Sequence, residues 1–245
     1  MAARLPLHNA LAPLLAATLG LALTLPSTAA VASTGAAEHE LITGEMVAAG
    51  LLNAHPDLKW RSRAQAEYDA GRRDGALALF KRAARYADKP SAAMVAEMYW
   101  NGDGVEQDRA LGYAWMDLAA ERGWTGFLAR REAYWLAMDE AERARALEVG
   151  KPVYAEFGDA VAKPRKEKAL NRERRLITGS RVGFVGSLAI EIPGPSGNIR
   201  INGDDFYDRR VWEPARFWAW QDEQWRDIGP GRVDVGTVQE LDAGD

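Results

Sequence analysis

The residues with side chains best suited to catalysis or metal binding are few and isolated in this sequence. The three histidines, His8, His39 and His55, have no carboxylates around them at the spacing of metal ligands. Ser180 has no neighbouring base that would activate its hydroxyl. The common motifs of zinc proteases, hydrolases and nucleotide-binding proteins do not occur. We therefore expect a protein that is not an enzyme and that needs neither a metal nor a cofactor.

Two groups of acidic and amide residues are candidates for calcium binding. They are Asn101, Asp103 and Asp108 in the first group, and Asn202, Asp204, Asp205 and Asp208 in the second. The first group lacks the twelve-residue spacing and the terminal glutamate of a calcium-binding loop. We expect polar turns at both places, with calcium at the second group as the alternative.

Two tryptophans are the clearest candidates for binding a partner. Trp100 and Trp135 each follow a tyrosine at equivalent positions of successive predicted helix pairs. If that side of the helices faces a groove, the two rings form an apolar anchor for a peptide. The alternative is that both rings pack between neighbouring helices.

A second group of aromatic residues lies near the end of the chain. Its members are Trp212, Phe217, Trp218, Trp220 and Trp225. Exposed rings at Trp218, Trp220 and Trp225 would stack on sugars, with Glu213 or Asp222 as a candidate acid for cell-wall chemistry. The other interpretation is that these rings fill the core of a small C-terminal domain, docked onto the last helices of the chain.

The composition limits the setting and the partners. Residues 1–32 have the pattern of a secretory signal, ending at the small residues Ala30-Val31-Ala32. Their apolar run is shorter than the roughly 20 residues that span a bilayer, so we expect cleavage and no stable membrane span. The absence of cysteine excludes disulfides and a lipid-modified cysteine. A net charge of -4 argues against general nucleic-acid binding.

The remaining chain divides into four stretches. Residues 33–59 are an N-terminal segment, with a short helix predicted at 45–53 and a break at Pro56. Residues 60–158 have the pattern of paired helices. Residues 159–178 are a charged linker or helix, and residues 179–245 are predicted to form a small β-rich region. There we expect a hairpin from Leu188 to Ile201, a helix after Pro214 and a last strand within 229–238.

The charged stretch contains a dense run of basic residues. They are Lys163, Arg165, Lys166, Lys168, Arg172, Arg174 and Arg175. We interpret the run as a solvated face or a linker, and a patch for anionic lipid or another polyanion is the alternative.

The helical stretch contains an internal repeat with a period in the mid-thirties, which is typical of an α-solenoid. One unit carries a set of small, aromatic and turn residues: Tyr99, Gly102, Gly104, Asp108, Ala110, Trp115, Ala119, Ala120 and Gly123. This set resembles the motif of the Sel-one-like repeat family, a branch of the tetratricopeptide-like repeats. The preceding unit keeps Tyr68 and Ala76 but lacks the Gly-x-Gly-Val loop, so it resembles a generic tetratricopeptide-like hairpin.

The resemblance implies a mainly α fold, an αα-hairpin solenoid that binds a protein or peptide along a groove. The C-terminal region is similar to the ends of exported Gram-negative members of that family, which implies a periplasmic or secreted protein. Our leading prediction is a non-catalytic interaction or scaffolding module of the cell envelope. The alternatives are a carbohydrate- or peptidoglycan-binding protein that uses the C-terminal tryptophans, and a structural protein that pairs with itself.

Overall fold

The computed structural model describes residues 41–177, 189–194 and 197–227. The predicted signal at 1–32, His39, Ser180, Leu188 and the predicted last strand lie outside the described residues. Within them, no helix is long and apolar enough to cross a membrane.

The described chain is mainly helical, as the sequence predicts. The helices are α1 Gly44–Ala48, α2 Pro56–Asp69, α3 Arg73–Ala84, α4 Lys89–Asn101, α5 Arg109–Ala119, α6 Thr125–Ala137, α7 Glu140–Phe157, α8 Asp159–Ile177, α9 Gly203–Phe206, α10 Arg209–Trp212 and α11 Pro214–Trp225, with 3-10 turns at Leu51–Asn53 and Ala120–Arg122. Consecutive helices from α2 to α6 pack against one another, and α7 packs on α5. The charged stretch, predicted as a linker or helix, is a helix over Asp159–Ile177.

Side chains at the helix starts explain most of these boundaries. The carboxylates of Asp88 and Asp108 accept hydrogen bonds from the backbone of Ser91 and Leu111, at 3.1 and 2.9 Å. Asp108, a residue of the repeat motif, is thus the N-cap of α5. The break predicted at Pro56 is the start of a helix. Pro56 occupies the first turn of α2, where its missing N–H costs no helical hydrogen bond.

The loop between α4 and α5 needs glycine for two reasons. Gly102 and Gly104 have φ angles of +73° and +74°, which L side chains rarely adopt. A Cβ on Gly104 would also lie 2.1 Å from the Cβ of Arg73, because the loop sits directly on the α2–α3 turn. Asp103 in the same loop accepts a 2.6 Å hydrogen bond from the hydroxyl of Tyr68. The loop thus ties two successive helix pairs together.

The C-terminal region contains the predicted hairpin and the helix after Pro214. Strands β1, Ala189–Gly194, and β2, Gly197–Asn202, pair antiparallel with Ile190 opposite Ile201. The prediction of a β-rich C-terminal region is nevertheless wrong for the described residues, because two six-residue strands are followed by three helices. Asn202 and Asp208, which were candidates for calcium, cap α9 and α10 instead.

Two apolar clusters form the core. The first joins α2 to α7 and includes the repeat residues Trp115, Ala119 and Ala120. The second joins the N-terminal segment, α8 and the C-terminal region, including Trp212, Phe217, Trp218 and Trp220. Trp225 belongs to the first cluster and stacks on Trp124 and Phe127, with ring centroids 5.8 and 5.9 Å away. The C-terminal helix is therefore docked onto the repeat helices.

Candidate interaction site at one end of the helices

Helices α4 to α7 define two ends of the molecule. At the first, which we call the open end, the α4–α5 loop at 102–108 meets the α6–α7 turn at 138–139. At the second, which we call the docked end, Lys89 of α4, Arg122 after α5 and Asp159 of α8 meet, and α11 covers them. The two ends hold different sets of the predicted site residues.

Trp100 and Trp135 come together at the open end. Both pack, half-buried, on a small apolar cluster of Ala110, Met138 and Ala146. Trp100 stacks on Tyr134, with ring centroids 3.8 Å apart and planes 9° apart. Each ring thus has one face in the fold and part of its surface in solvent.

Arginines cover the two tryptophans on their outer sides. The guanidinium of Arg109 lies 4.5 Å from the centroid of Trp100, and that of Arg143 lies 5.3 Å from the centroid of Trp135. Cation–π pairs of this kind hold charge next to aromatic surface. The open end therefore presents arginine and tryptophan side by side.

A cleft of about 690 Å³ opens beside the two tryptophans. Its walls come from the end of α4, the α4–α5 loop and the first turns of α5 and α7. They are Tyr99, Val105, Glu106, Gln107, Asp108, Arg109, Ala110, Asp139, Ala141, Glu142 and Arg145. Ala110 lines the cleft and also belongs to the apolar cluster, and Gln107 donates a 2.8 Å hydrogen bond to the carbonyl of Trp100. The cleft and the tryptophans are therefore neighbours at the open end, linked through Ala110 and Gln107, and we call them together the open-end site.

The charges of the open-end site are arranged in pairs. Arg145 donates two hydrogen bonds of 2.5 and 2.6 Å to the carboxylate of Asp108, and Arg109 lies 3.4 Å from Glu142. The hydrogen bonds from Arg145 lower the pKa of Asp108, so this carboxylate is ionised at neutral pH. The site offers fixed positive and negative groups beside apolar surface.

Trp218 and Trp220 lie elsewhere, in the core at the docked end. They are 8% and 5% exposed, so neither ring presents a face on which a sugar would stack. The indole N–H of Trp218 donates to Glu167 at 3.0 Å, and Arg122 lies over its ring. The candidate acids are also engaged, since Asp222 accepts from the indole of Trp124 at 3.1 Å and Glu213 pairs with two arginines.

Sequence reasoning missed a buried ionic cluster at the docked end. Its members are His55, Asp57, Arg61, Asp88 and Lys166, all at most 2% exposed. The ammonium of Lys166 contacts the carboxylate of Asp57 and lies 2.8 Å from Nδ1 of His55. Arg61 and Asp88 approach to 3.5 Å. The interpretation of the basic run as a solvated face is therefore wrong for Lys166, which neutralises a buried carboxylate.

Burial governs the titration of this cluster. It lowers the pKa of His55 well below the ordinary value of 6.5, and the neighbouring Lys166 charge acts in the same direction. His55 is consequently neutral in the folded protein. Residues more than a hundred positions apart in sequence meet here, which no local pattern indicates.

A second ionic cluster joins α4, α5, α8 and α11. Asp159 lies 3.0 Å from Lys89 and 2.7 Å from Arg122, whose guanidinium also reaches Gln221 at 3.1 Å. Burial alone would raise the pKa of Asp159, but the hydrogen bonds and charges of Arg122 and Lys89 lower it well below its usual range. The cluster fixes the start of α8 and the C-terminal helix onto the repeat helices.

Comparison with known proteins gives little beyond this description. No family model matches the chain, and no curated protein matches it. One solved structure is similar over 46% of this chain and 23% of its own length, at 19% identity and a TM-score of 0.33. It is the crystal structure of c5321, a protective antigen of uropathogenic Escherichia coli strains displaying an SLR fold. The chain spans less than a quarter of that protein, and its mainly helical fold is established by its own helices and contacts.

Proposed function

We propose that this chain is an exported, non-catalytic interaction module of the Sel-one-like type, which binds a segment of another protein at the open-end site. One observation carries the proposal: two half-buried tryptophans from successive helix pairs pack on the same small apolar cluster, and Ala110 of that cluster lines a cleft large enough for several side chains. Tryptophan and arginine dominate the residues that contribute most to protein–protein affinity. Both types lie side by side in this site.

The expected ligand is a peptide segment with an apolar anchor flanked by charge. The anchor would pack against Trp135. The charged groups that flank it would form new ion pairs in place of the Asp108–Arg145 and Arg109–Glu142 pairs. These pairs are partly exposed, so they are rearranged at much lower cost than buried pairs would be. The protein-binding role is supported by this surface and by the Gly-x-Gly-Val loop of the repeat.

The test is to select peptides from a random display library on the whole chain and to measure their affinity for point variants. Trp135→Ala and Arg145→Ala should each weaken the selected peptides about tenfold or more. Trp60→Ala is the matched control, because Trp60 is also half-buried and lies beside Arg63 and Arg82, but on α2. Selected peptides that bind all three variants as well as the parent protein would contradict the proposal.

A further inference from the structure

Helix α8 presents two chemically different sides. Ala162, Lys166 and Leu170 recur every four residues, and each is at most 1% exposed, so they mark the side that faces the core. At about 100° of rotation per residue, Lys168, Arg172, Arg175 and Leu176 lie roughly 180° to 280° from Lys166. They form one stripe on the opposite side, and all four are exposed. We call this set the basic stripe.

The acidic residues of α8 are all absent from the basic stripe. Asp159 and Glu173 have side chains that are 15% and 18% exposed, and Glu167 accepts the indole hydrogen bond of Trp218. Glu173 pairs with Arg172 at 2.9 Å, but the side chain of Arg172 remains 70% exposed, so all three cations of the stripe face solvent. The whole chain, by contrast, has a net charge of -4.

An ordinary solvated helix face mixes its charges, and α7 is such a face. There Glu148 and Lys151 pair at 2.8 Å, and further glutamates and arginines alternate along the exposed side. On α8 the separation of charge is greater, because Lys168, Arg172 and Arg175 are exposed whereas the side chains of Asp159 and Glu173 are only 15% and 18% exposed. Lys166 is the exception among the cations, since it points into the core. Such separation favours an extended anionic surface as the partner.

The basic stripe also ends on an apolar residue. Leu176 is 74% exposed, and Val161 at the other end of the same side is 40% exposed. A soluble polyanion gains nothing from an exposed leucine. A bilayer accommodates both groups, since lysine and arginine pair with anionic headgroups while the leucine enters the boundary of the acyl chains.

We propose that the basic stripe of α8 binds the surface of an anionic lipid bilayer. Binding is peripheral and leaves the open-end site free, because the stripe belongs to a different helix and to none of the walls of the cleft. The inference stands independently of the peptide-binding proposal.

The experiment floats the whole chain with vesicles of phosphatidylcholine, with or without about 30% phosphatidylglycerol. Retention on neutral vesicles measures any contribution of the apolar stretch near the N-terminus. The additional binding to anionic vesicles measures the contribution of the basic stripe. We expect a clear excess that disappears at high salt, because exposed charges are screened.

Four variants separate the contributions. The combined change Lys168→Gln, Arg172→Gln and Arg175→Gln should lower anionic binding about tenfold or more. The control Arg72→Gln, Lys151→Gln and Arg216→Gln removes the same charge from exposed sites in the α2–α3 turn and on two other helices, and should leave the excess in place. Leu176→Ser should weaken vesicle binding, whereas Leu147→Ser, at a leucine of α7 that is 60% exposed, should not.

Several results would overturn the inference. They are equal binding to neutral and anionic vesicles, equal losses in the two triple variants, and binding to soluble heparin without any excess on anionic vesicles. Circular dichroism of the variants checks that they remain folded, which is expected because all the changed side chains are exposed.

Discussion

At the open end, Asp108 and Arg145 form an ion pair whose side chains are 20% and 55% exposed, whereas Asp57 and Lys166 at the docked end are each 1% exposed. The same difference separates the tryptophans, since Trp100 and Trp135 keep part of their surface in solvent and Trp218 and Trp220 do not. Both ends use tryptophan, cations and carboxylates. The difference in burial determines whether these groups stabilise the fold or can contact a partner.

An exposed ion pair is exchanged with water or with a partner at little cost, so it suits a binding surface. A buried pair has lost its hydration, and removing one partner leaves the other charge stranded in the core. The docked end therefore holds the N-terminal segment, α8 and α11 together, while the open end remains available. This comparison yields four predictions.

The largest effect is expected from breaking the buried pair. Asp57→Ala should lower the free energy of unfolding by about 3–5 kcal/mol, because Lys166 would remain buried without its carboxylate. Urea denaturation monitored by tryptophan fluorescence provides the measurement. The double variant Asp57→Ala and Lys166→Met should be more stable than Asp57→Ala alone. If the double variant is no better than the single one, the stranded charge is not the cause.

The two ends also differ in why they need glycine. Gly104 at the open end and Gly123 near the docked end both have φ near +73°, but only at Gly104 would a Cβ meet a neighbour. Gly123→Ala should cost about 1–2 kcal/mol for the backbone conformation alone. Gly104→Ala should cost about 2–4 kcal/mol, because the collision with Arg73 adds to that strain. Thermal or urea unfolding of both variants, showing equal losses, would exclude this distinction.

The pH dependence of stability should arise at the docked end. His55 has a folded pKa well below 6.5, so between about pH 6.5 and 5 the unfolded chain binds a proton that the folded chain does not. The contribution of His55 to the free energy of unfolding is therefore fully present above pH 6.5. It decreases as the pH falls, by at most about 1.4 kcal/mol per pH unit. Burial raises the pKa of Asp57, which acts in the opposite direction as that carboxyl binds its proton.

His55→Asn separates the two contributions, since asparagine offers an acceptor to Lys166 without titrating. Urea unfolding of the parent protein at a series of pH values should show the loss, and the variant should show less of it. An unchanged pH profile in the variant would place the effect on other groups.

The features that the sequence predicted correctly are those determined by residues close together along the chain. The Gly-x-Gly-Val loop was predicted from its glycines, and Gly102 and Gly104 both have positive φ, a conformation that restricts residue type locally. The alternation of Ile190, Ile192, Ile199 and Ile201 predicted the hairpin, and the register pairs Ile190 with Ile201 and Ile192 with Ile199. The helices α9 and α10 were not predicted, since each is four residues long and has no periodic pattern.

The candidate site was predictable only in part. Trp100 and Trp135 were found because the repeat places them at equivalent positions. The opposite wall of the cleft, from Asp139 to Arg145, depends on how α7 packs on α5, and no spacing in the sequence fixes that packing. The contact of Lys166 with His55 and Asp57 was missed for the same reason, since a lysine in a basic run is normally solvated.

The smallest effect is expected at the exposed pair. Arg145→Ala should change the free energy of unfolding by less than about 1 kcal/mol, because the guanidinium is 55% exposed and its carboxylate partner returns to water. Asp108→Ala should cost more, about 1–2 kcal/mol, since Asp108 also caps α5 through Leu111. Urea unfolding at low and high salt measures both variants. The part of each loss that comes from the ion pair should fall with salt, whereas the capping part of the Asp108 loss should remain. A loss at Arg145 as large as that at Asp57 would mean that the open end is structural, like the docked end, and would remove the reason for placing a binding site there.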